Sequence, residues 1–198
     1  MSLPERLGAM KKYTVNARSK ELPSPKDIAP DDTSAQLRLA GVIGESTVDG
    51  PGLRFVVFAQ GCPHKCEGCH NPQTHSFDAG FFSTVRRMTE VILHNRMITG
   101  VTLSGGEPFC QAAAFAELAQ NLRHNGLHVI TYTGYTLEQL RDMNDTDTNN
   151  LLLHSDWLVD GKYIEAQKDL LLKFRGSKNQ RIIDLKESFP GNITEIEV

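Results

Sequence analysis

From Leu37 onward the chain alternates short runs rich in Val, Ile and Phe with stretches whose apolar residues recur at helical spacing, and this alternation limits the folds open to it. Leu37 to Ile43 and Leu53 to Ala59 fit strands flanking an Asp49-Gly-Pro-Gly52 turn. Val101 to Leu103, His128 to Tyr132, Asp156 to Asp160 and Arg181 to Leu185 supply further short strands. Between them, Val85, Met88, Val91 and Ile92 share a helical face after Ser83, a candidate N-cap. Phe115, Leu118, Ala119 and Leu122 fall at i, i+3, i+4 and i+7, with Gly126 placed to end that helix. Thr136-Leu-Glu-Gln139 has the form of a capping box, and Asn144 to Asn150 reads as polar loop. Such alternation without internal repeat implies an α/β fold: a parallel sheet covered by helices, with ligands outside the carboxyl ends of the strands.

Residues 1 to about 36 carry Pro4, Pro23, Pro25 and Pro30 among Ser, Lys and Asp, which reads as a flexible N-terminal extension and leaves 37–198 as one folded domain. Lys11, Lys12, Arg18 and Lys20 make the extension basic, but Glu5, Glu21, Asp27, Asp31 and Asp32 argue against a transit peptide. A net charge of -3 offers no basic face for a phosphate backbone to follow, so a protein is expected as partner and nucleic acid is not. No apolar run is long enough to span a membrane and the N-terminus lacks an apolar signal core, so a cytoplasmic location is expected.

Three cysteines carry the chemistry. Cys62, Cys66 and Cys69 lie in Gly61-Cys-Pro-His-Lys-Cys-Glu-Gly-Cys-His70, a C-x3-C-x2-C spacing. A cubane [4Fe-4S] cluster is commonly held by four thiolates, so three protein ligands leave one iron able to bind something else. Thiolates also suit zinc, and a closed zinc site would need a fourth ligand, for which His64 and His70 are candidates. Disulfides are disfavoured because only four cysteines occur and Cys110 is remote in sequence; it reads as a small buried side chain. A second stretch, Thr102-Leu-Ser-Gly-Gly-Glu-Pro-Phe109, follows an apolar run. Gly105 and Gly106 let backbone approach a ligand, and the Glu107 carboxylate can accept from a positively charged amino group. Taken alone, such a stretch is more often a turn than a site.

Together, the cysteine loop and Gly105-Gly106-Glu107-Pro108 resemble the signature of the radical S-adenosylmethionine superfamily. Val48-Asp-Gly-Pro-Gly-Leu-Arg54, Cys69-His-Asn-Pro72, Tyr132-Thr-Gly-Tyr135, Val159-Asp-Gly-Lys-Tyr163 and Arg175-Gly-Ser-Lys-Asn-Gln-Arg181 extend the resemblance over most of the chain. They are similar to the activating proteins of glycyl radical enzymes, within them the branch that acts on anaerobic ribonucleoside-triphosphate reductase. Gly68 stands where an aromatic residue commonly precedes the third cysteine, although glycine suits this branch.

The resemblance implies a partial open (β/α) barrel, since about 160 residues are too few for the eight βα units of a full barrel, which takes ~250. It implies a [4Fe-4S] cluster on Cys62, Cys66 and Cys69 as the catalytic and metal residues, and S-adenosyl-L-methionine contacted by Gly68, Cys69, His70, Gly105, Gly106 and Glu107. The implied reaction is one-electron reductive cleavage of that cofactor, followed by hydrogen abstraction from a glycine of the reductase. The electron would come from a low-potential donor such as flavodoxin or ferredoxin. The cofactors carry the difficult chemistry, so no general base is required. G-x-S-x-G, H-E-x-x-H and Walker motifs are all missing from the sequence. Another glycyl radical enzyme, a small-molecule target, or a metal-binding module without catalysis stay open as alternatives. Asn71, Tyr132 and Tyr135 are candidates for the cofactor's surroundings, and Lys162 and Arg175 for solvated surface or partner contact.

Overall fold

The computed structural model describes residues 24–188 and 192–198. Seven strands form one open sheet in the order β3-β1-β2-β4-β5-β6-β7, from β1 (Gln36–Ser46), β2 (Arg54–Ala59), β3 (Phe81–Thr84), β4 (Gly100–Gly105), β5 (His128–Tyr132), β6 (Trp157–Asp160) and β7 (Arg181–Asp184). β2, β4, β5 and β6 run parallel, while β1 pairs antiparallel with both β2 and β3, and β7 antiparallel with β6. The α/β expectation holds, with β3 and β7 as the edges.

Strand side chains alternate between two different environments. Phe55, Val57 and Ala59 of β2 join Val101, Leu103, Val129, Leu158 and Ile183 on the face covered by helices α1 (Val85–His94), α2 (Ala112–His124), α3 (Leu137–Asp142) and α4 (Thr146–Leu153). Phe115, Leu118 and Leu122 of α2 and Leu151 and Leu152 of α4 fill that core. The opposite face holds a smaller cluster of Ile130, Val159 and Ile182, with Tyr132, Trp157 and Phe174 partly buried against it. All six residues of β2 are buried, as a central strand of a sheet covered on both faces requires. No helix among the described residues is long and apolar enough to cross a membrane.

Three local expectations need correction. The N-cap of α1 is Thr84, whose hydroxyl accepts from the Arg87 N–H at 3.2 Å; Ser83 belongs to β3, an edge strand that its four residues did not advertise. The segment read as polar loop contains α4, begun by Asp145, whose carboxylate accepts from the Thr148 N–H at 2.8 Å. Its polar residues obscured a helix that buries Thr148, Leu151 and Leu152. Cys110 is exposed, not a buried filler. The capping box at Thr136 and Gln139 is present in both directions. Of the expected N-terminal extension, residues 1–23 lie outside the described residues. Residues 24–35 run beside β3 and α1, where the Ser83 hydroxyl donates to the Pro25 carbonyl at 2.6 Å and Arg87 Nε to the Ser24 carbonyl at 2.9 Å.

Candidate active site

The four parallel strands end on one rim, and the chain leaving each of them borders a single open cavity of about 200 Å³. β2 continues into Gly61 and the cysteine loop, β4 into Gly106 and Glu107, β5 into Thr133 and Gly134, and β6 into Gly161 and Tyr163. Parallel strands carry their loops to the same edge, so motifs remote in sequence meet there. Cys62, Cys66, Cys69, His70, Gly105 and Gly106 all line the cavity. Gly68 and Glu107 do not.

The two motif loops are bonded to each other. The Gly106 N–H donates to the Ala59 carbonyl and the Glu107 N–H to the Gly61 carbonyl, both at 2.8 Å. A Cβ on Gly106 would overlap the Gly61 carbonyl, so glycine is required by the cysteine loop's backbone as well as by any ligand. Glu107 is completely buried behind the lining. One carboxylate oxygen accepts from the Phe109 N–H at 3.1 Å; the other accepts from the Thr133 hydroxyl at 3.0 Å and the Gly134 N–H at 2.9 Å. His64 Nε2 lies 2.8 Å from that second oxygen, and its ring meets Tyr135 edge-on at 4.5 Å. Glu107 therefore ties three strand-end loops together, and a His64 so engaged is poorly placed to close a zinc site.

On the other side of the cysteine loop, Gly68 has φ +69°, and a Cβ there would overlap the Glu165 carboxylate and come 3.3 Å from Tyr163. Tyr163 donates its hydroxyl to Glu165 and sets its ring 4.7 Å from that of His70. The space beside the third cysteine is thus occupied by side chains from the segment after β6. Sequence reading placed Tyr163 and Asp49 in family stretches without assigning them to the site, and it gave His75 no role; Asp49 and His75 also line the cavity. His75 comes from the loop that leaves β2, whereas Asp49 reaches the cavity from the turn between β1 and β2.

Burial pushes the Cys62 thiol up from its ordinary range, opposed by the backbone N–H groups of His64 and Lys65 and reinforced by the Glu107 charge. Burial does the same to Cys69, opposed by the Asn71 N–H at 3.4 Å from its sulfur. Metal loading needs thiolates and must therefore release protons here. At the start of β2, fully buried Arg54 donates to the Thr102 hydroxyl at 2.7 Å and the His128 carbonyl at 3.0 Å, and desolvation draws its pKa down to about 10.

Among the described residues, no three His, Cys, Asp or Glu side chains are gathered to hold a single metal ion. The three thiols instead share one cavity as an all-sulfur donor set, which suits a multi-iron cluster. His75 Nε2 on the lining is buried without a hydrogen-bond partner, a polar atom left for a ligand or water to satisfy. The residues present fit the implied cluster.

Comparison with known proteins agrees with this chemistry. Residues 48–183 match the model of a family described as a 4Fe-4S single cluster domain. The chain is similar to the anaerobic ribonucleoside-triphosphate reductase-activating protein of Vibrio cholerae, 38% identical over 143 residues, covering 68% of this chain and 90% of that one. It is similar to the protein of the same name from Enterobacteria phage T4, 35% identical over 145 residues, covering 68% of this chain and 86% of that one. A pyruvate formate-lyase-activating enzyme of Staphylococcus epidermidis is 36% identical over 157 residues, with 73% of this chain and 60% of the relative covered.

Proposed function

We propose, for a chain that belongs to the 4Fe-4S single cluster domain family alongside the anaerobic ribonucleoside-triphosphate reductase-activating proteins, that it is a radical S-adenosylmethionine activase that installs a glycyl radical on such a reductase. The observation that carries this reading is the meeting of Cys62, Cys66 and Cys69 with the Gly105-Gly106 strand end in one cavity. When bound, a [4Fe-4S] cluster and S-adenosyl-L-methionine supply one-electron cleavage and a deoxyadenosyl radical able to take hydrogen from a glycine.

The chain's own residues bind and orient. Cys62, Cys66 and Cys69 are the cluster ligands. Gly105, Gly106, Cys69 and His70 contact the methionine-bearing cofactor from the lining, Gly68 shapes the cysteine loop beside it, and Glu107 acts from behind by holding His64, Thr133 and Gly134 in place. The open sheet is read as a partial (β/α) barrel whose missing wall admits a protein loop. The reducing electron comes from a flavodoxin or ferredoxin, and free thiols suit a reducing cytoplasm.

Electron paramagnetic resonance of the anaerobically reconstituted, reduced chain tests this first. A [4Fe-4S] signal that shifts on adding S-adenosylmethionine is expected, followed by a glycyl radical signal when the reductase is supplied. Production of 5′-deoxyadenosine that survives replacement of Cys62, Cys66 and Cys69 together by alanine would overturn the reading. The formate-lyase-activating relative keeps a second target in view. Glycyl radical yield on each of the two enzymes decides between them.

A further inference from the structure

We propose that the loop spanning residues 161–180 is the docking surface for the protein substrate, a glycyl radical enzyme presenting an acidic face around an apolar cleft. The inference rests on the activase reading above. Both roots of the loop belong to the site: Gly161 and Tyr163 line the cavity at one end, Gly176 and Gln180 at the other. A glycine of another protein entering the cavity passes beside this loop.

At its far end the loop exposes the two most accessible large apolar side chains among the described residues, Leu170 at 85% and Leu171 at 91%. This is not a frayed segment. The Lys178 N–H donates to the Gln167 carbonyl at 2.9 Å, and Asn179 Nδ2 to the Lys162 carbonyl at 2.8 Å. Gln180 Oε1 accepts from the Gly176 and Ser177 N–H groups at 2.9 and 3.2 Å. Apolar side chains held in water on a hydrogen-bonded loop mark a surface that another molecule covers.

Charge narrows what that molecule is. The loop carries five cations, Lys162, Lys168, Lys173, Arg175 and Lys178, against the carboxylates Glu165 and Asp169, in a chain whose net charge is -3. Lys168 pairs with Glu165 at 3.4 Å and Lys178 with Asp169 at 3.5 Å, and partly buried Arg175 donates Nη1 to the Gln180 carbonyl at 2.9 Å, so the exposed surplus positive charge lies with Lys162 and Lys173. An apolar centre with a charged rim is the anatomy of a protein interface, in which the centre holds affinity and the rim sets encounter rate.

The test uses cluster-loaded protein and anaerobic ribonucleoside-triphosphate reductase. Leu170→Asp with Leu171→Asp is expected to weaken binding ~10-fold or more, since buried apolar anchors dominate interfaces. Formation of 5′-deoxyadenosine without reductase should stay unchanged. Glycyl radical yield should fall at limiting reductase and recover at saturation. Lys173→Glu should flatten the salt dependence of binding. Unchanged affinity and unchanged salt dependence in both variants overturn the docking surface. Loss of binding to vesicles of anionic phospholipid, with reductase binding intact, reassigns the loop to a lipid surface and also overturns it. An unsubstituted chain that cleaves the cofactor but neither binds the reductase nor forms a glycyl radical defeats the activase reading itself, a result the variants do not resemble.

Discussion

The two faces of the sheet are built from the same strands and do opposite work. On the helix-covered face, Phe55, Val57, Val101, Leu103, Val129 and Leu158 have no exposure and belong to the main apolar core. On the other face, alternate residues of those strands include Arg54, Thr102 and Tyr132, and the apolar cluster shrinks to Ile130, Val159 and Ile182 with their partly buried neighbours. Burial there must be matched by hydrogen bonds, and of these three polar residues Tyr132 also borders the cavity. Stability is concentrated on one side and chemistry on the other.

Removing apolar volume from the helical face should separate the two most sharply. Phe115→Ala, at a site with no exposure, is expected to lower stability by about 3–5 kcal/mol in urea unfolding, while the reduced cluster's spectrum in the folded protein stays unchanged. A perturbed spectrum would show the faces to be coupled. His64→Ala probes the polar side, leaving buried Glu107 short of a partner at a cost of ~1–3 kcal/mol. The shift of the cluster signal on adding S-adenosylmethionine should weaken with it, and His64→Gln, able to donate to the same carboxylate, should restore part of both. An Ala variant with full stability and an unaltered spectrum would remove His64 from the site's support.

The smallest effect is expected at the rim. Arg181 donates to both oxygens of Glu138 at 2.9 and 2.7 Å and holds its carboxyl down to about 2 from an ordinary 4.5. A depressed carboxyl stabilises the fold above its unfolded value and loses that contribution as pH falls from about 4.5 toward 2. Glu138 is half exposed, so Glu138→Gln should cost under ~1 kcal/mol at neutral pH and flatten only the acid limb of a stability profile. An acid limb unchanged by the substitution would show the pair to be inert.

Much of this was open to sequence reading, for a local reason. The strand runs, the α2 stripe and the Thr136 cap depend on a few neighbouring residues, so their spacing shows in one dimension. The cysteine spacing is equally local. α4 escaped because Thr146–Asn150 reads as a loop until the Asp145 cap and the buried Leu151–Leu152 pair are seen together. β3 escaped because a four-residue edge strand owes its state to pairing with β1.

By itself, then, the sequence determined the alternation of elements, the all-sulfur donor set and the glycines at the β4 end, because each is a property of residue type at short spacing. Only the tertiary structure decided that Glu107 lies behind the cavity wall bound to His64, Thr133 and Gly134, that Tyr163 closes over Gly68, and that two leucines stand exposed beyond it. Those contacts join strand ends many residues apart. Chain spacing carries no signal for them, and parallel pairing creates them by bringing the loops that follow β2, β4, β5 and β6 to the same edge.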